Sequence, residues 1–283
     1  MSILANLFGY VLNFLYTFVQ NYGVAIILFT VLLRLILLPF TYKQQITMKK
    51  TAQVQEKLKK IQEKYKDNPE KLNQETLDLY KREKMNPCSG CFSAIIQIVI
   101  FLSVFYLVSS PLTYMKKVDA EVIENYKNEI KVDSEEQNAY YPEIDIIREK
   151  GATDEEININ MEFLGLNLSS IPSSELNNPT VYIIPVLYVV SSIISLKLSS
   201  NMNINKKKDE ENEEEVKKEK TEMDAVESMN KNMMLILPIM SVIIAMIAPL
   251  GLALYWLVNN LIMIFERLII TKIIKSKEEA GNA

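Results

Sequence analysis

Arg34 is the residue of this sequence best placed for binding chemistry, because it is the only charged residue between positions 22 and 42. In a helix that begins at Tyr22, it would lie about 18 Å from the first residue. An arginine at the centre of a membrane-spanning helix costs at least about 2.5 kcal/mol. Glu266 falls at the end of the last apolar segment, and no other segment contains Asp or Glu. We therefore expect no ion pair and predict that Arg34 faces a water-filled cavity; the alternative is a side chain that reaches the membrane interface.

Polar residues in the other apolar segments could line the same cavity. Thr30 lies four residues before Arg34, so the two share one face of a helix. Gln97 lies in the second apolar segment, and further polar positions follow in the later ones: Ser191, Ser192, Ser195, Trp256, Asn259 and Asn260. Each alone is more often a packing contact between helices or, for tryptophan, an interface anchor. Together they predict a polar interior around the arginine.

The two cysteines and the absence of histidine exclude several kinds of catalytic site. Cys88 and Cys91 form a C-x-x-C pair, but structural zinc needs four ligands and no second pair exists. Without histidine there is no Ser-His nucleophile. Packing is the favoured role of the two thiols. We expect no catalytic residue, metal or cofactor, and therefore no enzyme.

The elements that must position these residues are five long apolar segments, separated by charged ones. Runs of about 18 or more apolar residues are typical of helices that cross a bilayer. The sequence therefore predicts an all-α integral membrane protein with five transmembrane helices, at residues 22–42, 91–110, 181–198, 232–248 and 252–272. The last two are separated because Pro249-Leu250-Gly251 favours a turn, and one helix over the whole block would be about 60 Å long.

Charge between the segments predicts the orientation. Residues 43–90 hold twelve basic and seven acidic residues, whereas residues 111–180 hold six and fifteen. Since basic residues near the spans favour the cytoplasm, the N-terminus is expected outside and the C-terminus inside. Residues 43–90 are then a cytoplasmic helical hairpin, in which Asn68 caps the second helix. Residues 111–180 form an acidic extracellular loop, residues 199–231 a charged cytoplasmic loop, and residues 273–283 a cytoplasmic tail.

Residues 1–21 are apolar, with polar positions at helical spacing. This pattern favours an amphipathic helix in the outer interface, with Gly23 allowing the bend into the first span. The alternative is an N-terminal extension of that span. A cleavable signal peptide is not expected, because no basic residue precedes Arg34.

Four motifs carry a resemblance to a known family. The segments Asn86-Pro87-Cys88-Ser89-Gly90-Cys91 and Ile96-Gln97-Ile98-Val99-Ile100-Phe101 resemble the NPxxGC and IQMPIF signature of the YidC family (Oxa/Alb group) of membrane protein insertases. The segment from Pro249 to Asn260 is similar to that family's PSGLxLYWxxxN motif, and Thr30 with Arg34 matches the groove positions of its first span. Val99 stands for the usual Pro, Leu250 for the usual Ser, and Leu196 for a common Gln. The size resembles the compact Gram-positive type, although the acidic loop is longer.

This resemblance implies a hydrophilic groove, open to the cytoplasm and to lipid, that passes short polar flanks of nascent membrane proteins. Its substrate residues would be Thr30, Arg34, Trp256 and Asn260, with Gln97 added by inference. The protein would lie in the bacterial cell membrane and use no small-molecule substrate; its partners would be nascent chains and lipid, with the ribosome and Sec translocon as further candidates. The alternatives are an assembly scaffold that does not insert proteins and, less favoured, a small transporter or channel.

Overall fold

The computed structural model describes residues 2–66, 68–83, 89–133, 141–204 and 243–281. Its helices are α1 (Ser2–Val19), α2 (Tyr22–Lys64), α3 (Pro69–Arg82), α4 (Ser89–Ser109), α5 (Ala120–Asp133), α6 (Pro142–Lys150), α7 (Ile183–Ile204) and α8 (Leu250–Gly281). Between them lie a π-helix (Leu112–Lys116), a 3-10 helix (Pro179–Tyr182) and the short antiparallel strands β1 (Glu162–Phe163) and β2 (Leu166–Asn167). The predicted helical character of the chain is confirmed, and the small hairpin was not foreseen.

Several helices have the character of membrane spans. In the described part of the chain, Ser2–Val19, Tyr22–Lys64 and Pro179–Leu198 are long and apolar enough to cross a membrane, and Ile95–Ser109 is a shorter apolar helix. Most of the span predicted at residues 232–248 lies outside the described residues, as do Cys88 and residues 205–231 of the charged loop predicted at residues 199–231. The count of five spans and their orientation stay predictions.

The junction between α1 and α2 differs from the prediction. The chain turns at Gln20, whose φ is 52°, and Asn21 then caps α2 by accepting a hydrogen bond from the backbone N of Val24 at 3.1 Å. The expected bend at Gly23 is therefore wrong, and α1 is not a continuous extension of α2. Gly23 instead lets the ring of Phe163 approach, since a Cβ there would lie 2.5 Å from that ring. An interfacial position for α1 stays a prediction.

Helices α2 and α8 continue beyond the apolar segments that begin them. α2 runs for 43 residues, through Pro39 and into the segment predicted as a separate helix from Lys43. The Lys, Gln and Ala residues after Pro39 favour helix strongly enough to carry it past the missing N–H of one proline. α8 likewise extends through residue 281, so the tail predicted from residue 273 is helical as far as it is described. The long helices therefore join the apolar layer rigidly to the charged region beyond it.

α2 and α3 form the predicted antiparallel hairpin. α2 ends at Lys64, and the Asn68 side chain accepts a hydrogen bond from the backbone N of Lys71 at 3.1 Å, which confirms the expected cap. Val54 and Leu79 are buried between the two helices. An otherwise charged hairpin is thus held by one narrow apolar seam.

Residues 112–133 and 141–182, here called the connecting domain, hold the starts of α2 and α8. The backbone N of Tyr22 donates to the carbonyl of Asn160 at 3.0 Å, and those of Leu250 and Gly251 donate to the carbonyls of Ser170 and Leu168, each at 2.9 Å. The first N–H groups of a helix have no partner within it. The connecting domain supplies those partners, so it fixes the position of α8 relative to α2.

The same region packs closely on α1 at Gly9. A Cβ at this position would lie 1.8 Å from the carbonyl oxygen of Tyr114, a backbone atom of the π-helix that cannot rotate away. We expect Gly9→Ala to lower the free energy of unfolding by about 1–3 kcal/mol, the usual cost of overpacking. Thermal unfolding in detergent measures this effect.

Gly251→Ala is the matched control, because its Cβ would meet its nearest atoms at 3.5 Å, an ordinary contact distance. This variant should unfold at the wild-type temperature or slightly above it, since alanine favours helix over glycine. Equal unfolding temperatures for the two variants would show that α1 does not pack on the π-helix as described.

Candidate functional site

Arg34 is a residue of α2 that is only 5% exposed and whose side chain contacts α8. Its Nε donates a hydrogen bond to Oδ1 of Asn259 at 2.7 Å, and its Nη1 lies 3.6 Å from Oε2 of Glu266. Further along the same pair of helices, Nζ of Lys277 donates to the hydroxyl of Tyr42 at 3.3 Å. The residue that lies later in α2 contacts the residue that lies later in α8, so the two helices run parallel.

The expectation that Arg34 has no acidic partner is wrong. Asn259 and Glu266 are seven residues apart, which places both on one face of α8 about 10 Å apart along the axis. A guanidinium on a long flexible stem lies between them and contacts both. The position of Glu266 at the end of the last span predicts that it is out of reach, but the length of the arginine side chain brings the two groups within 3.6 Å.

The Glu266 carboxylate is buried and incompletely satisfied. Its side chain is 8% exposed, and its Oε2 has no hydrogen-bond partner among the described residues. The separation of 3.6 Å from Arg34 is beyond the usual range of an N–H···O hydrogen bond. The two groups therefore neutralise each other electrostatically without the paired hydrogen bonds of a tight arginine–carboxylate contact.

Thr30 and Gln97 occupy different surroundings. Thr30 is fully buried on α2, and its hydroxyl donates to the carbonyl of Ile26 at 2.6 Å. Its proton is thus used within its own helix, although the oxygen can still accept. Gln97 lies on an exposed position of α4. The structure buries Thr30 one turn from Arg34 but leaves Gln97 on the surface.

Trp256 joins three helices. It is 6% exposed, stacks on Phe101 of α4 with ring centroids 6.0 Å apart and an interplanar angle of 11°, and contacts Tyr188 of α7, also at 6.0 Å. Its Nε1 is buried with no hydrogen-bond partner in the part of the chain that is described. The indole is therefore packed by its rings and carries one free buried donor.

Asn260 connects α8 to α7. Its Nδ2 donates to the hydroxyls of Ser191 at 3.0 Å and Ser192 at 3.1 Å, and one helical step away Asn259 turns to Arg34. With Trp256 beside Tyr188, these contacts show that α7 and α8 also run parallel.

The resulting site is a polar cluster inside an apolar layer. Arg34 of α2 supplies its positive charge. The members from α8 are Trp256, Asn259, Asn260 and Glu266. Asn259 is predicted as a polar residue of the cavity but not as a substrate residue, and Glu266 is not predicted as part of the site. Their seven-residue spacing is a signal that the sequence did contain. Chemically, the cluster can bind an anionic or amide group, because guanidinium and carboxamide groups are strong donors.

Comparison with known proteins places these features in context. A family model described as 60Kd inner membrane protein matches residues 14–278. The protein named membrane protein insertase YidC in Fusobacterium nucleatum is 26% identical over 271 residues, which cover 96% of each chain. Two others of that name align over less of their own length. The one from Caldanaerobacter subterraneus is 41% identical over 105 residues, 37% of this chain and 51% of the relative.

The second, from Helicobacter pylori, is 25% identical over 267 residues. That alignment covers 94% of this chain but 36% of the relative. The chain thus spans about half or less of two of these three relatives, and nearly the whole of the one from Fusobacterium nucleatum.

Proposed function

Because the chain belongs to the 60Kd inner membrane protein family, which matches it from residue 14 to residue 278, we propose that it inserts other proteins into the lipid bilayer. The resemblance to the YidC family drawn from the motifs is confirmed by this match and by the relatives named membrane protein insertase. The protein is a multi-pass protein of the bacterial cell membrane, with several apolar helices able to cross it. The observation that carries the proposed activity is the buried Arg34 between two of the long helices, α2 and α8.

The proposed orientation follows the charges. The α2–α3 hairpin and the end of α8 lie in the cytoplasm, where basic residues next to spans are favoured. The connecting domain lies outside and closes the site there by binding the first turns of α2 and α8. A polar site that is closed on one side and approached from the other suits cargo that arrives from the cytoplasm.

The proposed mechanism is electrostatic. The short polar flank of a nascent membrane protein, often acidic, is attracted by the Arg34 guanidinium, whose field is stronger in a low-dielectric layer than in water. Asn259 and Asn260 offer amide groups that replace part of the hydration of the flank. The apolar segment of the client then moves sideways into lipid, which the hydrophobic effect favours. The flank crosses the remaining distance as that segment settles.

Further partners follow from the charged ends of the helices. The α2–α3 hairpin receives the client, and Lys272 and Lys277 on α8 lie near anionic lipid or ribosomal RNA. Action beside the Sec translocon belongs to the same proposal. The groove contribution of Thr30, Trp256 and Asn260 rests on their burial near Arg34, whereas the exposed Gln97 could act only at the rim of the site.

The experiment that tests the function is reconstitution of the full chain into liposomes that contain no other protein. A single-span client with an acidic flank is added, and protease protection reports how much of it inserts. We expect protection well above that of empty liposomes. An assembly scaffold would bind the client and leave it accessible to protease, while ion flux that depends on a small substrate would favour a transporter.

A further inference from the structure

We propose that Glu266 is an internal competitor for Arg34: its carboxylate occupies the guanidinium in the empty site, and an acidic residue of a client must displace it. Glu266 would then determine which clients the site accepts. This inference rests on the proposed insertase function, and it adds a selectivity residue to the same site.

The arginine is held at two points that differ in kind. Asn259 fixes its Nε through a hydrogen bond of 2.7 Å, whereas Glu266 approaches Nη1 only to 3.6 Å. The neutral amide therefore orients the guanidinium, while the carboxylate balances its charge without a short hydrogen bond. A client carboxylate that made paired hydrogen bonds to the free N–H groups would bind the same cation more strongly.

The Glu266 carboxylate makes no short hydrogen bond to Arg34 that would oppose its displacement. It is buried, and its Oε2 has no hydrogen-bond partner among the described residues. Burying a charge with incomplete partners is costly, because solvation by water is lost and only partly replaced. Arg267 does not offset this cost through the contact that is seen, since its Nη1 donates to the carbonyl of Ser195 at 3.3 Å. Exchange of Glu266 for a better-satisfied client carboxylate therefore relieves an unfavourable burial.

Charge balance gives this exchange a selective effect. With Glu266 in place, the pair is neutral and offers little net electrostatic attraction to an acidic flank, while an uncharged flank is not affected by the charge in either case. A flank that brings its own carboxylate restores the same balance after Glu266 has moved toward the charged end of α8. The Glu266 carboxylate therefore weakens the binding of acidic clients. Its removal should raise the affinity of the site for acidic clients alone.

The test uses Glu266→Gln, which keeps the shape of the side chain and removes its charge. The full chain contains a single tryptophan, Trp256, which lies one helical turn from Asn259 and reports binding by fluorescence. Two apolar peptides without tryptophan serve as probes, one with two aspartates in its flank and one with two serines. We expect the acidic peptide to bind Glu266→Gln roughly tenfold more tightly than wild type, as close charge pairs at interfaces allow. Affinity for the serine peptide should not change.

The control is Glu279→Gln, which makes the same change of net charge at an exposed position of the same helix. It should bind both peptides as the wild type does. Glu266→Asp keeps the charge on a shorter stem and should give an intermediate gain. Since this variant retains the carboxylate, it also tests the proposal if Glu266→Gln unfolds in detergent.

Two results would overturn the competition. One is an acidic peptide that binds the Glu266 variants no more tightly than wild type; the other is an equal gain for both peptides. Peptide affinity is measured apart from insertion, so failure of the wild type to insert clients into liposomes would refute the proposed function and leave the competition to be decided by the affinities.

Discussion

Replacing Arg34 by alanine should lower insertion of a client with an acidic flank at least about tenfold, whereas lysine should retain a substantial part of it. Alanine removes the only positive charge in the buried cluster as described, and with it the attraction for the flank. Lysine keeps the charge but loses the planar group that binds Asn259 and a carboxylate together. Protease protection of the client in liposomes measures each variant against wild type.

A second effect of the alanine variant must be separated from the first. Without Arg34, Glu266 becomes a buried charge with no cation beside it, which typically costs about 3–5 kcal/mol. The double variant Arg34→Ala/Glu266→Gln removes both charges and should recover most of the lost stability in thermal unfolding. It should remain inactive, because the attraction for the flank is still absent. Full insertion by a well-folded double variant would contradict the role of the charge.

Trp256→Ala should lower the free energy of unfolding by about 3–5 kcal/mol, the usual cost of emptying a buried aromatic site. The indole packs between α4 and α7, where it stacks on Phe101 and contacts the tilted ring of Tyr188. Trp256→Phe should lose much less, because a ring remains and the indole N–H that disappears has no partner among the described residues. Thermal unfolding in detergent compares the two.

Phe18→Ala is the control for this pair, since Phe18 is an aromatic residue of α1 that is 74% exposed. Its stability should stay within about 0.5 kcal/mol of the wild type. If Trp256→Ala unfolded at the temperature of Phe18→Ala, the three helices would not depend on the indole for their packing. If Trp256→Phe lost as much as alanine, the indole nitrogen would have a role in the fold that its surroundings do not explain.

Local chemistry made parts of the fold predictable. Asn68 and Pro69 mark the start of α3 because a side-chain acceptor and a residue without an N–H suit the first turn of a helix. The hydrophobic segments predicted helices of bilayer length, and Pro249 with Gly251 predicted the break before α8. Arg34 could be identified from the sequence because a charged residue in an apolar membrane-spanning segment is costly and therefore indicates a function.

Other features depend on contacts between distant segments. Its position in the sequence predicts Glu266 at the edge of the layer, but its pairing depends on the length of the Arg34 side chain and on the parallel packing of α2 and α8. The turn at Gln20 has a backbone conformation that its residue type does not favour, so the nearby Gly23 was the natural expectation. Gln97 was assigned to the site by its segment, and the rotation of α4 places it on the surface.

Disulfide formation beside Arg34 tests most directly whether a client flank enters this site. Thr30→Cys, in a chain whose Cys88 and Cys91 are replaced by serine, leaves Arg34 intact and places a small thiol one turn away on the same face. A stalled nascent chain carries one cysteine next to its acidic residue. We predict a disulfide with Thr30→Cys and little with Leu35→Cys, a position that is 61% exposed. A disulfide that forms equally at both positions, or only at Leu35→Cys, would contradict passage of the flank beside Arg34.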